Sequence, residues 1–144
     1  MEDDLNLHVV FVSAFIKKGN RFLFSQRSFT DKMAPALWTI PGGKVDNETT
    51  DNILEQTLKR EVLEEVNIEI INIQYLASQS FIRSSGHHVI GVIFYADYLS
   101  GEAKALEDQN DVNWITINEI ENLIQNNNKL NFLKIAFGKL KDLQ

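Results

Sequence analysis

The sequence predicts a mixed α/β fold organised around one acidic helix. Three observations predict it: long apolar and β-branched runs that read as strands, a four-residue apolar recurrence across residues 54–66, and two more helical patterns that close the chain. With 144 residues, 44% of them hydrophobic and 24% charged, the chain has the size and balance of one small domain spanning 1–144. It contains no cysteine, which removes disulfide and thiolate chemistry. It shows neither a signal peptide nor an apolar run of membrane-spanning length, so a cytoplasmic protein without a membrane partner is expected. A net charge of −6 and a pI near 5.0 disfavour a nucleic acid duplex as partner. A small phosphorylated ligand accompanied by metal ions remains compatible with that charge.

In chain order, residues 1–6, MEDDLN, are polar and expected to fray. The run from Leu7 to Ile16, LHVVFVSAFI, is apolar at nearly every position, as in a strand buried on both faces. Lys17-Lys18-Gly19-Asn20 reads as a tight turn, and Arg21 to Arg27 returns as its hairpin partner. Ser28 to Ala36 reads as a loop, and Leu37 to Ile40 as a short strand that delivers Pro41-Gly42-Gly43 to the acidic helix. Paired glycines permit positive φ and close approach of backbone to a ligand, which makes Gly42 and Gly43 candidate binding positions.

The acidic helix follows. Leu54, Leu58, Val62 and Val66 recur every four residues, with Asn52 read as the N-cap and Glu55 completing a capping box. At about 100° per residue, Glu61 and Glu65 lie on or beside the core-facing stripe, and Glu64 about a quarter turn further out. A carboxylate aimed at a core is costly without a cation beside it. Arg60 can pair with Glu64 one turn on, but one guanidinium cannot neutralise three carboxylates. A divalent cation can, and all-oxygen donors point to Mg²⁺ or Mn²⁺ rather than zinc.

Beyond the helix, Glu69 to Arg83 and His87 to Leu99 read as strands, with Arg83-Ser84-Ser85-Gly86 as the turn between them. The adjacent His87 and His88 point to opposite faces, so they read as ordinary strand histidines, with a substrate contact by one of them as the minor alternative. Ser100 to Asn113 reads as a polar loop before a Trp114-Ile115-Thr116 strand. A helix over 117–125 is capped by Thr116 or Asn118, and another over 129–143 carries the stripe Leu130, Leu133, Phe137 and Leu140, read as core. Phe29, Trp38, Phe81 and Tyr95 are also read mainly as core.

The stretch from Gly43 to Ile68 resembles the signature of the Nudix hydrolases, G-x5-E-x7-R-E-U-x-E-E-x-G-U with U a bulky aliphatic. Arg60-Glu61-Val62-Leu63-Glu64-Glu65 matches its centre, Ile68 its last aliphatic place, and Pro41-Gly42-Gly43-Lys44 its opening. The chain departs from it twice. Three extra residues separate Gly43 from Arg60, so the place of the early glutamate, eight before Arg60, holds Asn52, and Glu48 stands one position too early. Asn67 replaces the glycine, a change that a left-handed helix end tolerates.

The resemblance implies a mixed β-sheet sandwiched between α-helices, in a small single-domain, MutT-like member. It also implies metal-dependent hydrolysis of a pyrophosphate bond in a nucleoside diphosphate linked to another moiety. Glu61, Glu64, Glu65 and the Gly43 carbonyl would hold the metal. Glu64 or a loop acid, Glu107 or Asp108, would act as base, and Arg60 would orient the glutamates. Arg27, Gly42, Gly43 and Lys44 would meet the substrate. The partner is then a small nucleotide or nucleotide conjugate, taken up by a monomer or homodimer. Two alternatives stand beside this: a nucleotide-binding module of the same fold without strong catalysis, and a purely structural acidic helix.

Overall fold

The computed structural model describes residues 7–144, so the predicted fraying of 1–6 lies outside the described residues. One mixed sheet carries three helices. Its strands are β1 (Val9–Lys18), β2 (Arg21–Arg27), β3 (Trp38–Thr39), β4 (Gly42–Lys44), β5 (Glu69–Ile82), β6 (His88–Ser100) and β7 (Gln109–Ile115). The helices are α1 (Ile53–Val66), α2 (Ile117–Asn126) and α3 (Lys134–Asp142).

The apolar run of β1 makes it the central strand. It pairs in parallel with β6 from Val9↔Val89 to Lys17↔Asp97, the only parallel pairing among the described residues. The predicted hairpin with β2 is brief, holding only at Lys17↔Phe22 and Lys18↔Arg21. Beyond those pairs the strands part: β1 takes β4 as its antiparallel neighbour, and β2 pairs with β3 and β7. The parting opens room for the Pro41–Lys44 segment to lie against β1.

Alternation along these strands sorts the core into two layers. Val12, Ala14, Ile16, Leu23, Phe94 and Ala96 face Leu58, Val62 and Val66 of α1. On the other face, Phe15, Phe22, Phe24 and Ile93 pack against Ile120 and Ile124 of α2 and against Leu133, Phe137 and Leu140. The sheet is thus sandwiched between α1 and the C-terminal helices, as expected.

Several local expectations change. Gly42 and Gly43 do not turn with positive φ; they form β4, with Val12↔Gly43 and Ser13↔Gly42 in register, and the ladder continues through Ala14 N–H to Pro41 O and Val45 N–H to Val10 O. What demands glycine here is closeness: a Cβ at Gly42 would overlap Val12 O and the Ser13 backbone. Asn52 does cap α1, but from left-handed backbone (φ 54°) and without a side-chain hydrogen bond, so the capping box with Glu55 is not formed. The loop expected to last until Asn113 ends at Gln109. From there Gln109–Ile115 pairs with β2 as an outer strand whose exposed positions stay polar, which masked it in the sequence. The last predicted helix starts as a 3₁₀ segment, Asn128–Leu133, before α3. Thr116 and Glu119 do form a capping box on α2.

We expect Gly42→Ala to lower folding stability by about 2 kcal/mol or more, because the new methyl meets backbone that cannot move away cheaply. Urea unfolding followed by circular dichroism measures this.

Candidate active site

Helix α1 places its carboxylates as the rotation predicts. Its buried positions are Thr57, Leu58, Val62 and Val66. Glu61, with a side chain 17% exposed, and Glu65 sit at the border of that face, while Glu64 is turned outward at 43%. The strand beneath them is β4. Glu65 Oε1 accepts the Gly42 N–H at 3.4 Å. A Cβ on Gly43 would overlap the Glu61 carboxyl, so glycine at that position is what lets Glu61 lie against the strand.

The loop between β6 and β7 supplies a fourth carboxylate by way of the helix end. Asn67 closes α1 in left-handed backbone (φ 66°), its N–H bonded to Leu63 O, in agreement with the sequence reading. Lys104 N–H donates to Val66 O and Leu106 N–H to Glu65 O, which satisfies two of the carbonyls that a helix end leaves unpaired. The next residue, Glu107, adopts φ 49°, an unusual conformation for a residue with a side chain, and its charge acts on both Glu61 and Glu65. Asp108, the other candidate, accepts Ser28 N–H through its backbone oxygen. Of the two loop acids, Glu107 is the one brought to the carboxylates.

The cations are fewer. Arg60 Nη1 lies 3.2 Å from Glu61 and 3.3 Å from Glu64, and its Nη2 lies 3.3 Å from Asp46, a partner that sequence reading missed. Arg27, at the end of β2, pairs with Asp31 at 3.8 Å and also acts favourably on Glu65. Lys44 ends β4, exposed and opposite Phe11. Burial pushes the Glu61 carboxyl up, against Arg60 and aided by Glu64 and Glu107. Burial also lifts Glu65 to about 7, opposed by Arg27 and the Gly42 N–H and reinforced by Glu61 and Glu107. The site therefore carries more negative charge than its own arginines compensate.

That surplus, borne by oxygen donors on a helix against bare backbone, fits a hard divalent cation. Among the described residues, no three Asp, Glu or His side chains are drawn close enough together to hold an ion between them. Glu61 and Glu65 lie against β4 with the charge of Glu107 acting on both, while Glu64 is turned outward. The histidines are elsewhere engaged, His88 edge-on to His8 and His87 bonded to Ser85. Phe29 (67% exposed) and Phe81 are not core as expected, whereas Trp38 and Tyr95 pack against the α2/α3 layer.

A family model described as NUDIX domain matches residues 7–134. The chain belongs to the Nudix family. It is similar to the NAD-capped RNA hydrolase NudC of Pseudomonas aeruginosa, 28% identical over 106 residues that make up 73% of this chain and 35% of that protein. It is likewise similar to the uncharacterized Nudix hydrolase YvcI of Bacillus subtilis, 31% identical over 90 residues, 60% of this chain and 55% of the other. The chain thus spans about a third of the NudC length and about half of YvcI. A crystal structure of a MutT NUDIX hydrolase from Burkholderia pseudomallei superposes with a TM-score of 0.67 at 26% identity, covering 78% of this chain and 85% of that one. The mixed sheet between helices is the Nudix fold. No helix among the described residues is long and apolar enough to cross a membrane.

The raised carboxyl of Glu65 has a defined consequence for stability. A group whose native pKa lies above its unfolded value supports the fold below the unfolded value and loses that support as pH rises through the native one. In metal-free solution we expect this Nudix protein to lose up to about 3 kcal/mol from this residue between pH 4.5 and about 7. Thermal melts across that range should show a flatter pH dependence for Glu65→Gln than for the wild type.

Proposed function

We infer that this chain is a Mg²⁺- or Mn²⁺-dependent hydrolase of a pyrophosphate bond in a nucleoside diphosphate linked to another moiety. The observation that carries the reading is the set of undercompensated carboxylates, Glu61 and Glu65 of α1 lying against the glycine strand with Glu107 brought to them by the facing loop. Membership of the Nudix family supports it. Glu61, Glu64, Glu65 and the Gly43 carbonyl would hold the cation, which when bound neutralises phosphate oxygens and acidifies the attacking water.

The chain's own residues supply the remainder. Glu64 or Glu107 takes the proton from the water as its oxygen bonds to one phosphorus. The bond from that phosphorus to the bridging oxygen breaks, and the other phosphate leaves with the bridging oxygen. Arg60 keeps Glu61 and Glu64 turned toward the reaction. Arg27 and Lys44 meet substrate phosphates, and the flat backbone of Gly42 and Gly43 admits them closely. The substrate is a small nucleotide or conjugate: a nucleoside triphosphate, a sugar nucleotide such as ADP-ribose, or a dinucleotide. The NAD-capped RNA activity named for the NudC relatives puts dinucleotide linkages on that panel. A cytoplasmic place and a monomeric or homodimeric state complete the reading.

A binding module of the same fold is the second reading, and Asn52 in the place of the early glutamate favours it. Release of phosphate or of a nucleoside monophosphate from that panel, with Mg²⁺ or Mn²⁺, separates the two. We expect turnover by the wild type and a loss of about 10²- to 10⁴-fold in kcat for Glu61→Gln and Glu64→Gln. Metal-dependent thermal stabilisation without turnover would favour the binding module, and a wild-type rate in Glu64→Gln would refute its role as ligand and base.

Gly43→Ala gives an independent test. Its methyl displaces a flexible side chain rather than backbone, so we expect a folded protein whose kcat falls at least about tenfold because Glu61 is pushed off the strand.

A further inference from the structure

Arg60 is the hinge of the charged network, and its guanidinium is engaged from two sides. Nη1 serves Glu61 and Glu64, neighbours on the same helix. Nη2 reaches Asp46, 14 residues earlier, in the segment that leaves β4. Contacts within one helix turn are worth a few tenths of a kcal/mol and leave a long side chain free to swing. A planar fork held at both ends has a fixed direction. Asp46 therefore decides where the other nitrogen of Arg60 points, and ties α1 to the segment that carries Gly43.

The sequence pattern does not single this residue out. The pattern's early acid has its place at Asn52, which sits in left-handed backbone and makes no side-chain cap. Glu48, the nearest glutamate, is exposed. The acid that this loop delivers to the helix is instead Asp46, three residues after Gly43. Its side chain is 60% exposed and that of Arg60 38%, so the pair contributes little to folding stability. Its effect is on orientation.

We propose that Asp46 is a positioning residue for the carboxylate helix, holding Arg60 so that Glu61 and Glu64 share one fixed arrangement toward a divalent cation. The proposal rests on the reading of those glutamates given above, and its test has one arm independent of turnover. Mn²⁺ binding is titrated by electron paramagnetic resonance in the wild type, Asp46→Asn, Asp46→Glu, Glu48→Gln, Arg60→Gln and the double variant of Arg60→Gln with Asp46→Asn. The same proteins are assayed on the best nucleotide of the panel.

Asp46→Asn is expected to weaken Mn²⁺ binding and lower kcat by about tenfold, within the range for residues that orient metal ligands, with KM little changed. Asp46→Glu restores most of both, and Glu48→Gln changes neither. In the Arg60→Gln background the Asp46 substitution adds nothing, because its only route of action is gone. Unchanged Mn²⁺ affinity in Asp46→Asn overturns the proposal, as does a further loss in the Arg60→Gln background. If the wild type turns over no nucleotide, the Mn²⁺ arm still decides the proposal, and the failure belongs to the hydrolase reading. A wild type that binds no Mn²⁺ overturns both.

Discussion

The contact between α1 and β4 is the constraint on which the rest depends. Two carboxylates at the border of an apolar helix face are tolerable only where something other than side chain lies opposite, and two consecutive glycines provide that surface. At Gly42 the strand lies so close to β1 that a methyl would strike backbone; at Gly43 the space a methyl would fill is already taken by Glu61. The strand could not be moved outward to relieve either, since its ladder with β1 runs unbroken from Pro41 to Val45. Helix position, strand position and carboxylate position are therefore one choice.

The opposite side of the site is built from the helix end. Asn67 turns the chain out of α1, and the loop after β6 returns to bond the carbonyls of Glu65 and Val66. Asn67 also donates through its side-chain amide to Glu102 O, and Gly101, at φ 100°, passes close to the Asn67 carbonyl. These bonds satisfy the orphan groups of a helix terminus and in doing so fix a loop that would otherwise be free. The acid at position 107 reaches Glu61 and Glu65 because the residues before it are tied to the same helix, and its left-handed backbone is the local cost of that placement.

Legibility in the sequence followed the physics of each feature. The inward face of α1, the left-handed Asn67 and the Thr116 cap were readable because each depends on residues three or four apart. The core stripe from Leu130 to Leu140 was readable for the same reason, although its first half is 3₁₀. Features set by distant partners were not readable. β4 was not readable as a strand because glycine pairs signal φ freedom locally, whereas here they answer a crowding imposed by β1 and α1. Gln109 to Asn113 looked like loop because a polar outer strand lacks alternation. Asp46 was invisible as a partner of Arg60, since the length of the intervening loop says nothing about where it folds back. Asn52 satisfied a cap pattern in sequence, took left-handed backbone and makes no side-chain hydrogen bond to the helix.

The charge balance of the site links its stability to its chemistry. Four carboxylates, Glu61, Glu64, Glu65 and Glu107, meet two arginines, and each arginine is also claimed by an aspartate, Arg60 by Asp46 and Arg27 by Asp31. Those aspartates fix the arginines in place and at the same time reduce what they can neutralise. Burial lifts the carboxyl of Glu65, and the neighbouring charges of Glu61 and Glu107 add to that lift against Arg27 and the Gly42 N–H. A fold seeking stability alone would replace that glutamate with an apolar side chain, as buried charges generally gain little over a well-packed core. Under the proposed hydrolase reading, a divalent cation would fill the deficit, and by binding the native state it would stabilise it by mass action while favouring the charged form of the carboxylates it meets. The surplus that burial makes costly is thus the same quantity that would give the site affinity for the ion.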